Sequence, residues 1–330
     1  MTDITDAILR SAIELQRLSL TEEARAEQLL RQLEADLRAL LNTRTLSASG
    51  KREIEALIKQ AHDAITGKYI NIAGILDVDG IVQHVAEQTV NALGGDMPGV
   101  ETLRSLARDV LIEGSPASAW WARQADDTAF KFAGAVRRGV LNGRTNEAIT
   151  REVVDVLDVS RRNARALVHS SIMTAANKAR LEAYRKNMRF SSGVKWLATL
   201  DSHTCRTCAA LDGSQWDFDG KPLKGTKFDF QAPPAHMLCR CVITPLPLSF
   251  DELGFEGMDA AIANIGARAS SQGPLKSGTT FADFLKRQSP EWVDDFLGAK
   301  RADLYRTGKL TITDLLTKGG REKTLAELTR

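Results

Sequence analysis

All four cysteines of this 330-residue chain fall between positions 205 and 241. Cys205-Arg-Thr-Cys208 has the i, i+3 spacing of a zinc knuckle, in which a tight turn brings two sulfurs to one side while backbone amides hydrogen-bond the thiolates. Further along, His236-Met-Leu-Cys239-Arg-Cys241 offers three more donors. A closed tetrahedral site needs two of them. His236 and Cys239 repeat the knuckle spacing, whereas Cys239 and Cys241 would share one face of a strand through its period of two. Spacing alone leaves that choice open. The expectation is therefore a structural zinc held by four of the five donors Cys205, Cys208, His236, Cys239 and Cys241, with the fifth buried nearby. In a reducing compartment, thiols grouped this closely are more often metal ligands than disulfides. A pair of disulfides formed after release from the cell is the competing reading.

Catalytic chemistry has less support. A catalytic zinc keeps one position open for water and has a general base close by, and thiolate-rich sets usually fill the coordination sphere. A deaminase would want His-x-Glu followed by Cys-x-x-Cys, but here His203 precedes Thr204 and Cys205, and reads as a surface histidine. Neither a Walker-type phosphate loop nor a Gly-x-Ser-x-Gly elbow occurs. The chain is read as a binding protein rather than an enzyme, with no small-molecule substrate.

The elements that must position the five donors form a small β-rich segment. Val194, Trp196, Ala198 and Leu200 alternate with Lys195, Leu197 and Thr199, predicting a strand. Asp212-Gly213 and Asp219-Gly220 are turn signals, and Val242 to Leu246 suits a returning strand. Pro233 and Pro234 restrict the chain before His236.

Helix dominates elsewhere, so the expected fold class is mainly α, with helical N-terminal and C-terminal regions around a small Cys/His metal-binding module (α+β). Ser19 and Glu22 have the spacing of a capping box, which predicts a break after Leu18 and a second helix. In that helix Leu30, Leu33, Leu37, Leu40 and Leu41 form an apolar stripe, read as part of an intramolecular bundle. A break over Thr45 to Gly50 precedes a third helix carrying Ile54, Leu57, Ile58, Ala61 and Ile65. Glycines and prolines from Gly94 to Pro116 predict short helices joined by turns, leaving residues 1–119 all helical. Trp120 to Leu141 should be a helix closed at Asn142 and Gly143, with Thr145 capping the next element and Ser160 capping a long helix over 161–187. Beyond Phe250 helix resumes, with a Gly/Ser/Pro-rich linker near 270–278 and short helices over Phe281 to Lys286 and Asp295 to Tyr305. The division is 1–119, 120–250 with the metal module at 193–246, and 251–330.

Charged residues make up 26% and hydrophobic residues 43%, the balance of a globular chain, and the net charge of +2 is too small to imply nucleic-acid binding by the whole molecule. Locally the balance differs. Between 161 and 189 eight basic residues, Arg161, Arg162, Arg165, Lys178, Arg180, Arg185, Lys186 and Arg189, face one acid, Glu182. Such a helix could rest on phosphates or on an acidic protein surface. No apolar run approaches a membrane span, and the acids Asp3, Asp6 and Glu14 do not suit a secretory signal, so the chain is expected to avoid membranes and to be cytoplasmic when made.

Lys195-Trp196-Leu197-Ala198-Thr199-Leu200-Asp201, Cys205-Arg-Thr-Cys208, Leu211-Asp212-Gly213 and Pro234-Ala235-His236-Met-Leu-Cys239-Arg-Cys241 together resemble the phage Mu F-like minor head protein family, over about residues 120–246. Tail segments such as Phe284-Leu285-Lys286-Arg287-Gln288 and Thr324-Leu325-Ala326-Glu327-Leu328 are similar to Mu-type members. Asn177, Ala179, Arg180 and Ala183 fit the family's helix. Val168-His169-Ser170-Ser171 departs from the Arg-Thr-Glu that the family often carries there. The resemblance implies a minor capsid or head morphogenesis protein of a tailed phage or prophage, present in few copies in the virion head after assembly in the host cytoplasm. Its implied partners are the portal protein, the major capsid or scaffold protein and, for some members, packaged DNA. A stand-alone nucleic-acid-binding zinc protein is the alternative from the residues themselves, and a metal-dependent hydrolase is a third.

Overall fold

The computed structural model describes residues 4–42, 50–248, 267–268, 270–276 and 278–329. Helix predominates, and the chain divides into two compact units. One comprises Gln16–Val78 and Asp109–Ile172; the other comprises Met1–Leu15, Asp79–Arg108 and Met173–Arg330.

Three long helices dominate the first unit's sequence: α1 (Ile4–Asn42), α2 (Lys51–Gly74) and α5 (Ala117–Leu141). α6 (Asn146–Lys186) continues from it into the second unit's residues, as α1 does. The α1 stripe is intramolecular: Leu30, Leu33, Leu37 and Leu41 are buried. α2 packs on α5, burying Ile54, Leu57, Ala61, Ile65 and Tyr69. The Tyr69 hydroxyl meets Thr128 Oγ1 at 3.2 Å, which in turn meets Ser160 Oγ at 2.8 Å. Leu111–Ile112 (β1) and Ser115–Pro116 (β2) form a small antiparallel hairpin. Residues 1–119 are therefore not all helix, as the sequence pattern had implied.

Two cap expectations are corrected. α1 runs through Ser19 without interruption. The Ser19 hydroxyl does not cap a new helix; buried, it donates to Glu23 Oε1 (2.8 Å) and contacts His169 Nδ1 (3.0 Å). Likewise α6 passes through Ser160, whose hydroxyl bonds back to the Val156 carbonyl four residues earlier. In both cases a tertiary partner takes a side chain whose local spacing suggested a cap. Asn142, Gly143 (φ 62°) and Thr145 do behave as expected, closing α5 and capping α6. The expected break over Thr45 to Gly50 lies, apart from Gly50, outside the described residues.

The second unit contains α3 (Val78–Leu93), α4 (Val100–Arg108) and a four-stranded antiparallel sheet. Its strands are β3 (Ser191–Leu197), β4 (Gln215–Trp216), β5 (Pro222–Leu223) and β6 (Val242–Pro247), in the order β5-β4-β3-β6. Trp196 pairs with Ile243 and Val194 with Pro245, so the expected returning strand is present. Gly193 is required where it stands, because a Cβ there would lie 2.1 Å from the Trp216 carbonyl oxygen. One face of the sheet packs on α6 through Met173, Tyr184, Val194, Leu197, Val242 and Ile243.

Asn177 ties that helix to β6. Its amide nitrogen donates to the Cys241 carbonyl (3.2 Å), and its amide oxygen accepts from the Ile243 N–H (3.3 Å). The side chain thus takes the place of a neighbouring strand for one residue pair, satisfying backbone groups that would otherwise be buried without partners.

The C-terminal region folds against the sheet. Helix resumption just after Phe250 falls outside the described residues. The described part of the expected linker lies in an antiparallel hairpin of Ala267–Arg268 (β7) with Leu275–Lys276 (β8), and Ser271 N–H donates to the Leu200 carbonyl. After α7 (Arg206–Leu211), the α-helices among the described residues are α8 (Phe281–Leu285), α9 (Pro290–Leu297), α10 (Ala299–Arg306) and α11 (Leu325–Leu328). The single helix expected over Asp295 to Tyr305 is broken at Gly298, whose φ of 81° no helix accommodates. Thr280 caps α8 in a reciprocal box with Asp283, and Phe281, Phe284 and Leu285 join Leu200, Val293, Leu297 and Leu315 in one apolar cluster.

Candidate metal centre

Cys205 is the N-cap of α7 and its sulfur accepts from the Cys208 N–H at 3.4 Å. In this short helix Cys208, Ala209, Ala210 and Leu211 are all buried. On the other side of the centre, the Cys239 N–H donates to the His236 carbonyl (3.2 Å) in a turn that places Leu238 at φ 60°. Both i, i+3 pairs therefore form tight turns.

The structure brings all five donors together in two overlapping groups. Cys205, Cys208 and His236 form one and Cys208, Cys239 and Cys241 the other, each with ligand atoms within 4.8 Å of one another. His236 Nε2 lies 3.0 Å from Cys205 Sγ and 3.2 Å from Cys208 Sγ, and Cys208 Sγ lies 3.6 Å from Cys239 Sγ. No disulfide links them. Cys208, Cys239 and Cys241 are buried, while Cys205 and His236 are partly open. Trp196, Trp216, Phe228 and Leu316 pack around the buried sulfurs. His236 Nδ1 meets the Met237 carbonyl at 2.7 Å. A carbonyl only accepts, so Nδ1 carries the proton and Nε2 is left to face the sulfurs.

The donors shift one another in opposite directions, and the neighbouring cysteines, Cys205 first, push the Cys208 thiol up. Contact with Cys208 holds the Cys205 thiol down to about 4 against the opposing effect of burial, with His236 adding to the lowering. The Cys205 and Cys239 sulfurs push His236 up to about 11. Cys239 is lowered by its contacts with Cys208 and Cys241, and burial pushes Cys241 up. Soft sulfur with one imidazole is the donor set that zinc prefers, and these groups could bind a metal ion.

Around the centre, Arg240 makes a two-pronged ion pair with Asp201, both bonds at 2.7 Å. Asp201 also accepts from the His203 N–H and the Thr204 hydroxyl, fixing the loop before Cys205. His203 itself is exposed and outside the donor cluster. Two residues that the motif reading did not assign complete the frame. Asp212 accepts from the Ala198 and Phe281 N–H groups, and Arg268 pairs with it. The Asp-Gly turn signal located Asp212, but nothing in the local sequence tied it to Arg268.

The basic residues do not form one set. Arg161 is half-buried and bonded to Glu34 (2.6 Å) and Asp158, and Arg165 pairs with the buried Glu23. Arg180 is fully buried and has no place on an outer surface. Lys178 is partly buried. Arg162, Arg185, Lys186 and Arg189 are exposed, with Arg189 reaching Asp96.

A helix-backed antiparallel sheet with five clustered thiol and imidazole donors defines the class: a mainly helical protein built around a Cys/His module. Residues 131–244 match the family described as Phage Mu protein F like protein. The match spans the C-terminal part of α5, all of α6 and the donor cluster, and points to a phage head morphogenesis protein. No curated protein and no solved structure matches. Among the described residues no helix is long and apolar enough to cross a membrane.

Proposed function

We propose that the chain is a minor capsid protein that acts in head morphogenesis of a tailed phage or prophage, binding the portal and other head components during assembly in the host cytoplasm. The observation that carries this reading is the family match over 131–244, whose span contains the whole Cys/His cluster. In this reading residues 120–250 form the Mu F-like region, with helical regions at 1–119 and 251–330 as contact-bearing flanks. Four of the five donors hold a structural zinc, which replaces core that so small a sheet cannot supply by itself. The chain works by binding, and its partners are the portal and the major capsid or scaffold protein.

Exposed Arg185, Lys186 and Arg189 near the end of α6 favour a second reading, contact with packaged DNA or nucleic-acid binding in its own right. Quantitative mass spectrometry of purified particles separates the two. A head protein is recovered from DNA-filled particles at a low, fixed ratio to the portal. Its absence from particles, together with salt-dependent DNA binding by the isolated chain, would favour the second.

A further inference from the structure

Five donors surround a site that needs four. We infer that the metal is held by Cys205, Cys208, His236 and Cys239, and that Cys241 is a buried neighbour of the centre rather than a ligand. The inference rests on the zinc reading and adds its ligand set.

Backbone shape distinguishes the two late cysteines. Cys205 and Cys208 sit on one i, i+3 turn and His236 and Cys239 on another, each closed by an N–H bond within the turn. A turn of this kind delivers both of its donors to one side. Cys241 lies outside both turns, on the extended segment entering β6, where Asn177 holds its carbonyl.

Distances agree. Zinc bonds of about 2.3 Å to sulfur and about 2.0 Å to nitrogen imply ligand–ligand edges of roughly 3.8 Å between sulfurs and roughly 3.5 Å between sulfur and nitrogen. The Cys208–Cys239 separation of 3.6 Å and the two His236 separations of 3.0 and 3.2 Å are within about half an ångström of those edges. Cys239 and Cys241 both group with Cys208, and neither joins the group of Cys205, Cys208 and His236, so the choice between them rests on the two turns.

Cys241 therefore serves the centre from outside. It fills the apolar space beside Trp196 and Leu316 and sets its sulfur against the Cys208 and Cys239 ligands, the place of an outer-shell partner.

Zinc content of the full chain, purified with zinc present, tests this directly. Wild type should carry one zinc, with X-ray absorption giving three sulfurs and one nitrogen. Cys241→Ser should keep one zinc with its affinity lowered by at most about 100-fold, the usual scale for an outer-shell partner. Cys239→Ser should lose stoichiometric zinc. Retention by Cys239→Ser with loss from Cys241→Ser would overturn the assignment, as would a four-sulfur signal in wild type. Loss from both variants counts against it too; Cys241→Ala, equally small and without a donor, then shows whether a misfolded serine variant is responsible, since zinc retained by the alanine variant restores the assignment. Wild type without any zinc would instead refute the underlying metal reading.

Discussion

Asp212 and Arg268 form a two-pronged ion pair, Nη2 to Oδ1 at 2.6 Å and Nη1 to Oδ2 at 2.9 Å, with side chains 0% and 4% exposed. The pair joins three segments distant in sequence. Asp212 also accepts from the N–H groups of Ala198, just beyond β3, and Phe281, at the start of α8, while Arg268 donates to the carbonyls of Ala198 and Thr279. Every carboxylate oxygen is satisfied, which makes so deeply buried a pair tolerable.

Removing one partner strands the other charge. Asp212→Ala should cost about 3–5 kcal/mol of stability, measured by denaturant unfolding. The double variant Asp212→Asn, Arg268→Met should recover part of that loss. Near-wild-type stability in Asp212→Ala would show that the pair does not hold the C-terminal region to the sheet.

The Asp201–Arg240 pair predicts a pH dependence. Burial raises the Asp201 carboxyl, but the Arg240 hydrogen bonds and charge, with those from His203 and Thr204, outweigh it and hold it below the usual range. A carboxyl whose folded value is depressed stabilises the fold above its unfolded value of about 3.9, and that contribution disappears as pH falls through the lower folded value. Asp201→Asn should be less stable than wild type by about 1–2 kcal/mol at pH 7. The difference should shrink below about pH 4. Unfolding curves from pH 7 to pH 3 check this, and a gap independent of pH would contradict it.

Much of the centre was legible because metal ligation constrains residue type and spacing at once. Cys205, Cys208, His236, Cys239 and Cys241 are marked by both, and the alternation from Val194 to Leu200 marked the strand before them. Asn177 and Arg268 were not legible as frame residues, because each acts through partners 64 and 56 residues away respectively. Ser19 and Ser160 misled for a related reason: serine spacing suggests a cap, but His169 and Thr128 occupy their hydroxyls in the folded chain. Gly298, by contrast, carried a break signal that the helix pattern around it obscured.

Metal removal should act on stability before anything else. Stripping zinc with a chelator should lower the melting temperature by roughly 10 °C, given the scale of structural zinc sites and of melting shifts in chains of this size. Re-addition should restore it. Because ligands must be deprotonated to bind, zinc affinity should weaken on acidification, with proton uptake accompanying release. Cys208→Ser should resemble the chelated protein, since Cys208 belongs to both donor groups. A variant with unchanged melting and full zinc content would refute the structural role.

The head-assembly reading is tested most directly by co-expressing the chain with the portal protein of the same phage and passing the mixture through size exclusion at moderate salt. A complex that survives the column at a fixed ratio is the predicted result. Portal eluting alone, while this chain elutes separately and binds DNA, would contradict the assignment and move attention to the exposed basic residues at the end of α6.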